Sequence, residues 1–280
     1  MGWVIVSNKI HVSDYIRYTV RKMEGGQRYL VVHDGFEVLA RLRGRGKTVP
    51  VLMLAGLPPA QALATNKVQG VFGAATAAYQ IEGASNLDGK GPSVQDIKTV
   101  PADLPDFTVC SDHYHRYKED VALFAELGLT SYRFSIAWTR IVPDGDGDVN
   151  PAGIEFYNNL IDELLKYDIE PIVTVYHFDL PAALAKRGGW ANRETIDAFV
   201  RFSKVCFEEF GDRVTYWQTI NEQNIMTLVP EHALDASGGN LEGYPLYQAN
   251  HHMFVAQSKA MAVCHEVRPE CKIGPAPNIC

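Results

Sequence analysis

From about residue 70 onward, short apolar runs alternate with amphipathic stretches, and this alternation narrows the choice of fold more than any other feature. Residues 71–75, 131–136, 172–176, 214–220 and 272–279 read as strands. Residues 112–127, 153–166, 192–210 and 247–267 read as helices between them. On the first of these, Tyr117, Val121, Phe124 and Leu127 recur at three- and four-residue spacing, the period of one helical face. Asn192 is a start signal for the third and Gly211 a stop signal after it. Strands joined through a helix pair in parallel, because a helical crossover returns the chain to the same end of the sheet. The expected class is α/β.

A doubly wound sheet and a (β/α)8 barrel share this pattern, and the polar residues separate them. Gln80 and Glu82, Arg133 and Ser135, His177 and Asp179, and Asn221 and Glu222 fall just past successive strand ends. In a barrel those ends converge on one face, where a site is built. An open sheet places its ligand at one switch point, usually with a glycine-rich phosphate turn, and this sequence has no GxGxxG or Walker run. A TIM barrel is therefore expected, but an incomplete one: about five of the eight βα units can be read. Five parallel strands leave two unpaired edges, so the chain reads as a fragment or as one completed by something else.

Composition excludes several functions. A formal charge of −7 with mixed signs lacks the basic stripe of a nucleic-acid binder. No run approaches the roughly 20 apolar residues of a membrane span, and the first residues lack a basic, apolar leader. Five scattered cysteines (110, 206, 264, 271 and 280) contain no CxxC pair and read as free thiols of a reducing compartment. A cytoplasmic location is expected. His113 and His115 stand two apart on a helix and cannot share a face, and His251-His252 are adjacent, so no metal and no cofactor are expected.

Residues 1–66 differ from the rest, and the domain boundary is placed there, with 67–280 as the partial barrel. Residues 29–32 and 49–54 read as strands flanking a helix over 36–42, a small βαβ-like appendage. The runs Asp34-Gly35-Phe36-Glu37-Val38-Leu39-Ala40-Arg41-Leu42-Arg43 and Val49-Pro50-Val51-Leu52-Met53-Leu54 resemble the middle of a response-regulator receiver domain. Gln27 and Ala55 stand where such domains carry the phosphorylated aspartate and the switch hydroxyl, so phosphotransfer is not expected.

Five motifs follow in order. They are Gly73-Ala74-Ala75-Thr76-Ala77-Ala78-Tyr79-Gln80-Ile81-Glu82-Gly83; Tyr132-Arg133-Phe134-Ser135-Ile136-Ala137-Trp138-Thr139-Arg140; Tyr176-His177-Phe178-Asp179-Leu180-Pro181; Gly188-Gly189-Trp190; and Thr219-Ile220-Asn221-Glu222. Together they resemble glycoside hydrolase family 1. The resemblance implies a retaining β-glycosidase with Glu222 as general acid/base and Gln80, His177 and Asn221 as sugar-hydroxyl ligands. It implies that Arg133 braces the nucleophile, and Phe178 and Trp138 are candidate apolar walls for a sugar ring. Cleaving a glycosidic bond needs two carboxyls, one to protonate the leaving oxygen and one to attack or stabilise. Burial at a strand end would raise the Glu222 pKa toward neutrality.

The departures are also informative. Phe178 and Gln95 stand where many members have tryptophan, and Gln223-Asn224 follow the glutamate where many have proline. Phe178, Asn250-His251-His252-Met253, Cys264-His265-Glu266 and Lys272-Ile273-Gly274-Pro275 look more like the bacterial 6-phospho-β-glucosidases. The implied ligand is a β-glucoside or its 6-phosphate. The family's nucleophile and phosphate-binding residues lie beyond Cys280. Glu242, Glu266 and Glu270 fall in a loop and on a helix, so the nucleophile is expected to be absent from this chain. A non-enzymatic sugar-binding or interaction fragment is the alternative.

Overall fold

The computed structural model describes residues 17–22, 28–33, 38–42, 51–53, 73–99, 107–228 and 243–278. The chain divides into two compact units, residues 1–74 with 122–130 and residues 75–121 with 131–280.

The N-terminal strands are β1 (Arg17–Lys22), β2 (Arg28–His33), β3 (Val38–Leu42) and β4 (Val51–Met53), hydrogen-bonded in that order. Every neighbouring pair is antiparallel, with Val32 opposite Val38 and Leu39 opposite Leu52. This corrects the βαβ expectation: the segment expected as a helix over 36–42 contains a strand. Five residues of mixed propensity cannot outweigh pairing on both edges, and Asp34-Gly35 between β2 and β3 is a hairpin signal rather than a helix start. A βαβ unit requires parallel strands, so the receiver-like reading falls with it. Gln27, Asp34 and Ala55 lie outside the described residues.

The second sheet holds β5 (Gly73–Ala75), β6 (Ser131–Ser135), β7 (Glu170–Tyr176), β8 (Tyr216–Asn221) and β9 (Lys272–Ala276). Their spatial order is their chain order, and β6 to β9 pair in parallel. Sequential order with no reversal is the order of barrel strands, not of a doubly wound sheet.

The intervening helices are α1 (Ala78–Ile81), α2 (His113–Glu126), α3 (Trp138–Ile141), α4 (Pro151–Lys166), α5 (Ala182–Lys186), α6 (Glu194–Phe210), α7 (Ile225–Leu228) and α8 (Tyr244–Val267). α4 begins two residues before its periodic pattern because the Asn150 side chain caps Ala152 N and Pro151 needs no donor. Gly153 in its first turn is required by proximity: a Cβ there would lie 2.0 Å from the Arg140 carbonyl. Asn192 stands one residue before the Arg193 cap position, and its Oδ1 accepts from Glu194 N at 3.0 Å at the start of α6.

Two buried groups organise the space between sheet and helices. In the first, Trp138 stacks on Phe202 at 5.0 Å, with Tyr176, Trp190 and Phe199 around it. In the second, Arg140 Nε donates to Glu82 Oε2 at 3.0 Å and Tyr157 OH donates to Glu82 Oε1 at 2.6 Å. Tyr157 also accepts from Ala137 N at 2.7 Å, and the guanidinium lies 4.2 Å from the Tyr114 ring. This pair links the loop after β5 to α3 and α4. Replacing Glu82→Gln leaves a buried guanidinium without its counter-charge, which costs about 3–5 kcal/mol. Urea denaturation of the variant beside the parent chain measures that loss.

Candidate active site

The C-terminal ends of β6, β7 and β8 carry a connected set of polar side chains. Arg133 of β6 donates through Nε to Thr174 Oγ1 on β7 at 2.8 Å and through Nη2 to Asn221 Oδ1 on β8 at 2.6 Å. Thr174 Oγ1 in turn donates to Gln218 Oε1 at 3.0 Å. One guanidinium thus ties three strands together. Thr174 and Gln218 were not expected in this role, since in an apolar β-branched run a threonine reads as strand filler.

Strict alternation would place Gln218 and Asn221 on opposite faces of β8. Both nevertheless engage the Arg133–Thr174 side. The register of β8 against β9 shifts between these two residues, so an irregularity returns Asn221 to the interior. The next residue, Glu222, has φ 44°, in the left-handed region, and its N–H donates to Ala276 O at 2.7 Å. A non-glycine residue there costs about 1 kcal/mol or more. Its carboxyl is half-buried and close enough to Arg133 for their charges to interact. Burial lowers the Arg133 pKa, and the Glu222 carboxylate opposes that drop.

The end of β7 has the same character. Phe178 has φ 63°, unusual for an aromatic residue, and its carbonyl accepts from the buried Gln95 amide at 2.7 Å. Two positions that depart from the family pattern therefore touch each other. The Phe178 ring meets the His177 ring edge-on at 5.2 Å. His177 is held neutral: burial first, and the Arg133 charge second, lower its pKa to about 3. Its Nδ1 is buried and without a hydrogen-bond partner among the described residues. Asp179 is buried, accepting from His177 N at 3.4 Å and Trp138 N at 3.3 Å. Burial raises its pKa to about 7.

Gln80 lies apart from this set. It is exposed on α1 and bonded to the Tyr79 hydroxyl at 3.1 Å, and Tyr79 stands 6.3 Å from the His177 ring. Trp138 corrects an expectation. It is fully buried in the aromatic cluster, with Nε1 donating to Gly145 O at 3.1 Å, and offers no face to a sugar. Its motif carries a core residue one turn past the strand end, which spacing alone does not reveal. The histidines that invited a metal reading are engaged locally. His113 bonds Asp120 at 2.6 Å, His115 bonds Asp112 at 2.6 Å, and His252 bonds the Trp190 carbonyl at 2.8 Å.

Residues 65–279 match the sequence profile described as glycosyl hydrolase family 1. The chain belongs to that family. It is 47% identical over 218 residues to an aryl-phospho-β-D-glucosidase of Bacillus subtilis, covering 74% of this chain and 44% of that protein. It is 43% identical over 217 residues to a 6-phospho-β-glucosidase of Clostridium longisporum, covering 73% and 46%. A solved β-glucosidase of Thermotoga maritima in complex with castanospermine superposes with a TM-score of 0.70 at 43% identity, covering 75% and 48%. The chain thus spans about half the length of the family-1 relatives it matches. No helix among the described residues is long and apolar enough to cross a membrane.

Asp179 supplies a pH test of this geometry. Its folded pKa lies above the ordinary value of 3.8, so its contribution to stability is complete below that value and is lost as pH rises through about 7. Asp179→Asn removes the titration. Relative to the parent, the variant should gain stability between pH 4 and pH 8, by about 1.4 kcal/mol per unit of pKa shift, read from urea midpoints at each pH.

Proposed function

We propose that the strand ends of this chain form the acid/base half of a retaining β-glycosidase site, with Glu222 as the general acid/base. The observation that carries this is the Arg133–Asn221 bond, which places Glu222 next to a buried amide and a guanidinium beside neutral His177. A sugar ring presents hydroxyls, and such a wall offers both donors and acceptors to them. Asn221, His177 and Gln80 serve as hydroxyl ligands and Phe178 as an apolar contact. A neutral imidazole with an unpartnered buried nitrogen suits a hydroxyl better than an imidazolium does. Arg133 steadies Asn221 and would hold a neighbouring carboxylate ionised.

Retaining hydrolysis uses two carboxyls about 5–5.5 Å apart. Of the other strand-end acids described, Glu82 is committed to Arg140 and Tyr157, and Asp179 to backbone N–H groups. The nucleophilic carboxylate is therefore assigned outside the described strand ends. A sugar-binding role without turnover is the second reading, favoured by that same observation.

The proposed substrate class is a β-glucoside carrying a 6-phosphate. Phe178 in place of a tryptophan supports it, as does the likeness to two relatives whose names specify phosphorylated glucosides. A cytoplasmic setting accords with such substrates and with the thiols of Cys206, Cys264 and Cys271, none of which is in a disulfide.

Calorimetric titration with cellobiose and with cellobiose 6-phosphate tests the site. Saturable heat is expected, with affinity falling about tenfold, near 1.4 kcal/mol, in His177→Ala. The 280-residue chain should leave p-nitrophenyl β-glucoside 6-phosphate essentially uncleaved. Robust hydrolysis abolished by Glu222→Gln would instead show that a second carboxylate works within the chain.

A further inference from the structure

Behind the strand end that carries Glu222 lies a second, fully separate line of polar groups, running from β8 to α8. Thr219 Oγ1 donates to Gln257 Oε1 at 2.7 Å. Gln257 Nε2 donates to Gln223 Oε1 at 3.4 Å, and Gln223 Nε2 donates to Asn250 Oδ1. Each group donates to the next, so one assignment of amide orientations satisfies the whole line. Thr219, Gln223 and Gln257 are buried, where water does not compete for these bonds. Asn250 and Gln257 are seven residues apart on α8, two turns along one face.

The placement is specific. Thr219 sits inside the register shift between Gln218 and Asn221, and Gln223 follows Glu222 directly. Gln257 therefore bonds to the residues on both sides of the Asn221-Glu222 pair. A relaxed extended backbone at Glu222 would restore simple alternation and swing its carboxyl to another face. The chain instead holds φ 44° there, a conformation that persists only when its surroundings enforce it. Burying three uncharged polar side chains would be an expensive way merely to fill space, since apolar residues of the same shape would do so without unsatisfied groups.

We infer that Gln257, acting through Thr219 and Gln223 and seated by Asn250, is a positioning clamp that holds Glu222 in its left-handed conformation and so aims the acid/base carboxyl. The inference rests on the reading of Glu222 as that acid. It also accounts for the glutamine after the glutamate, since a proline at that position has no side-chain amide to join the line.

The test uses the double variant Thr219→Val with Gln257→Leu, which removes both partners of the first bond and leaves no buried hydroxyl orphaned. In the folded variant, exchange of the Glu222 amide hydrogen with solvent should rise about tenfold or more, while the Ile273 amide in β9 keeps its rate. The carboxyl titration of Glu222, followed by carbon NMR, should move its midpoint. Gln257→Glu supplies the rescue: a protonated carboxyl has the amide's donor and acceptor, so protection of the Glu222 amide, taken relative to its intrinsic exchange rate at each pH, should return at acidic pH and be lost as pH rises. Should the double variant fail to fold, Asn250→Ala, at the half-buried end of the line, must shift Glu222 exchange in the same direction. Unchanged Glu222 exchange and titration in these folded variants would overturn the clamp. Loss of the clamp signals alongside no saturable heat with cellobiose or cellobiose 6-phosphate would retain the clamp and discard the site reading on which it rests.

Discussion

Arg133 is the constraint on which the site depends. It rises from β6, bonds across β7 and ends on the side chain of Asn221 at the tip of β8. A half-buried guanidinium on an otherwise buried strand cannot be left without acceptors. Thr174 and Asn221 accept from it, and the Thr174 hydroxyl donates in turn to Gln218. Once these bonds exist, the relative heights of three strands are set. The irregularity in β8 then follows, because Asn221 must turn inward to reach the guanidinium. Glu222 takes its left-handed backbone as the next step of the same path.

The buried Glu82–Arg140 pair plays the corresponding part for the segment after β5. It joins the loop after β5 to α3 and α4, and the Tyr157 hydroxyl completes it by bonding both Glu82 and the backbone of Ala137. Ala78 N bonds Ser135 Oγ at 2.8 Å, which brings α1 against the end of β6. The polar residues past the strand ends thus divide into two sets. Glu82, Ser135, Asp179 and Arg140 close the structure on itself. Arg133, His177, Asn221 and Glu222 lie at the ends of β6, β7 and β8, where the proposed site is built.

The departures from the family pattern gain meaning from their contacts. Gln95 and Phe178 are 83 residues apart and share a hydrogen bond that supports an unusual backbone angle. Gln223 belongs to a line of amides that reaches α8. In each case a residue that looked like an isolated substitution is one half of an arrangement. His177 remains neutral because burial and the Arg133 charge act in the same direction.

Periodicity and motif order by themselves determined the α/β class, the barrel-type strand order, the strands and long helices from residue 71 onward to within a few residues, and family membership. Those signals are local, and each strand or helix declares itself by which of its own residues are apolar. They also pointed to Glu222, Asn221, Arg133 and His177, because a polar residue ending an apolar strand is conspicuous. Tertiary structure alone decided the rest. It placed Trp138 in the core, turned the segment over Val38–Leu42 into a paired strand, tied Thr174 to Arg133 and Gln218, and brought Gln223 to Gln257. The reason is physical: a strand's partner, a tryptophan's neighbours and an amide's acceptor lie tens of residues away in the chain, and no pattern within the segment records which of them will arrive.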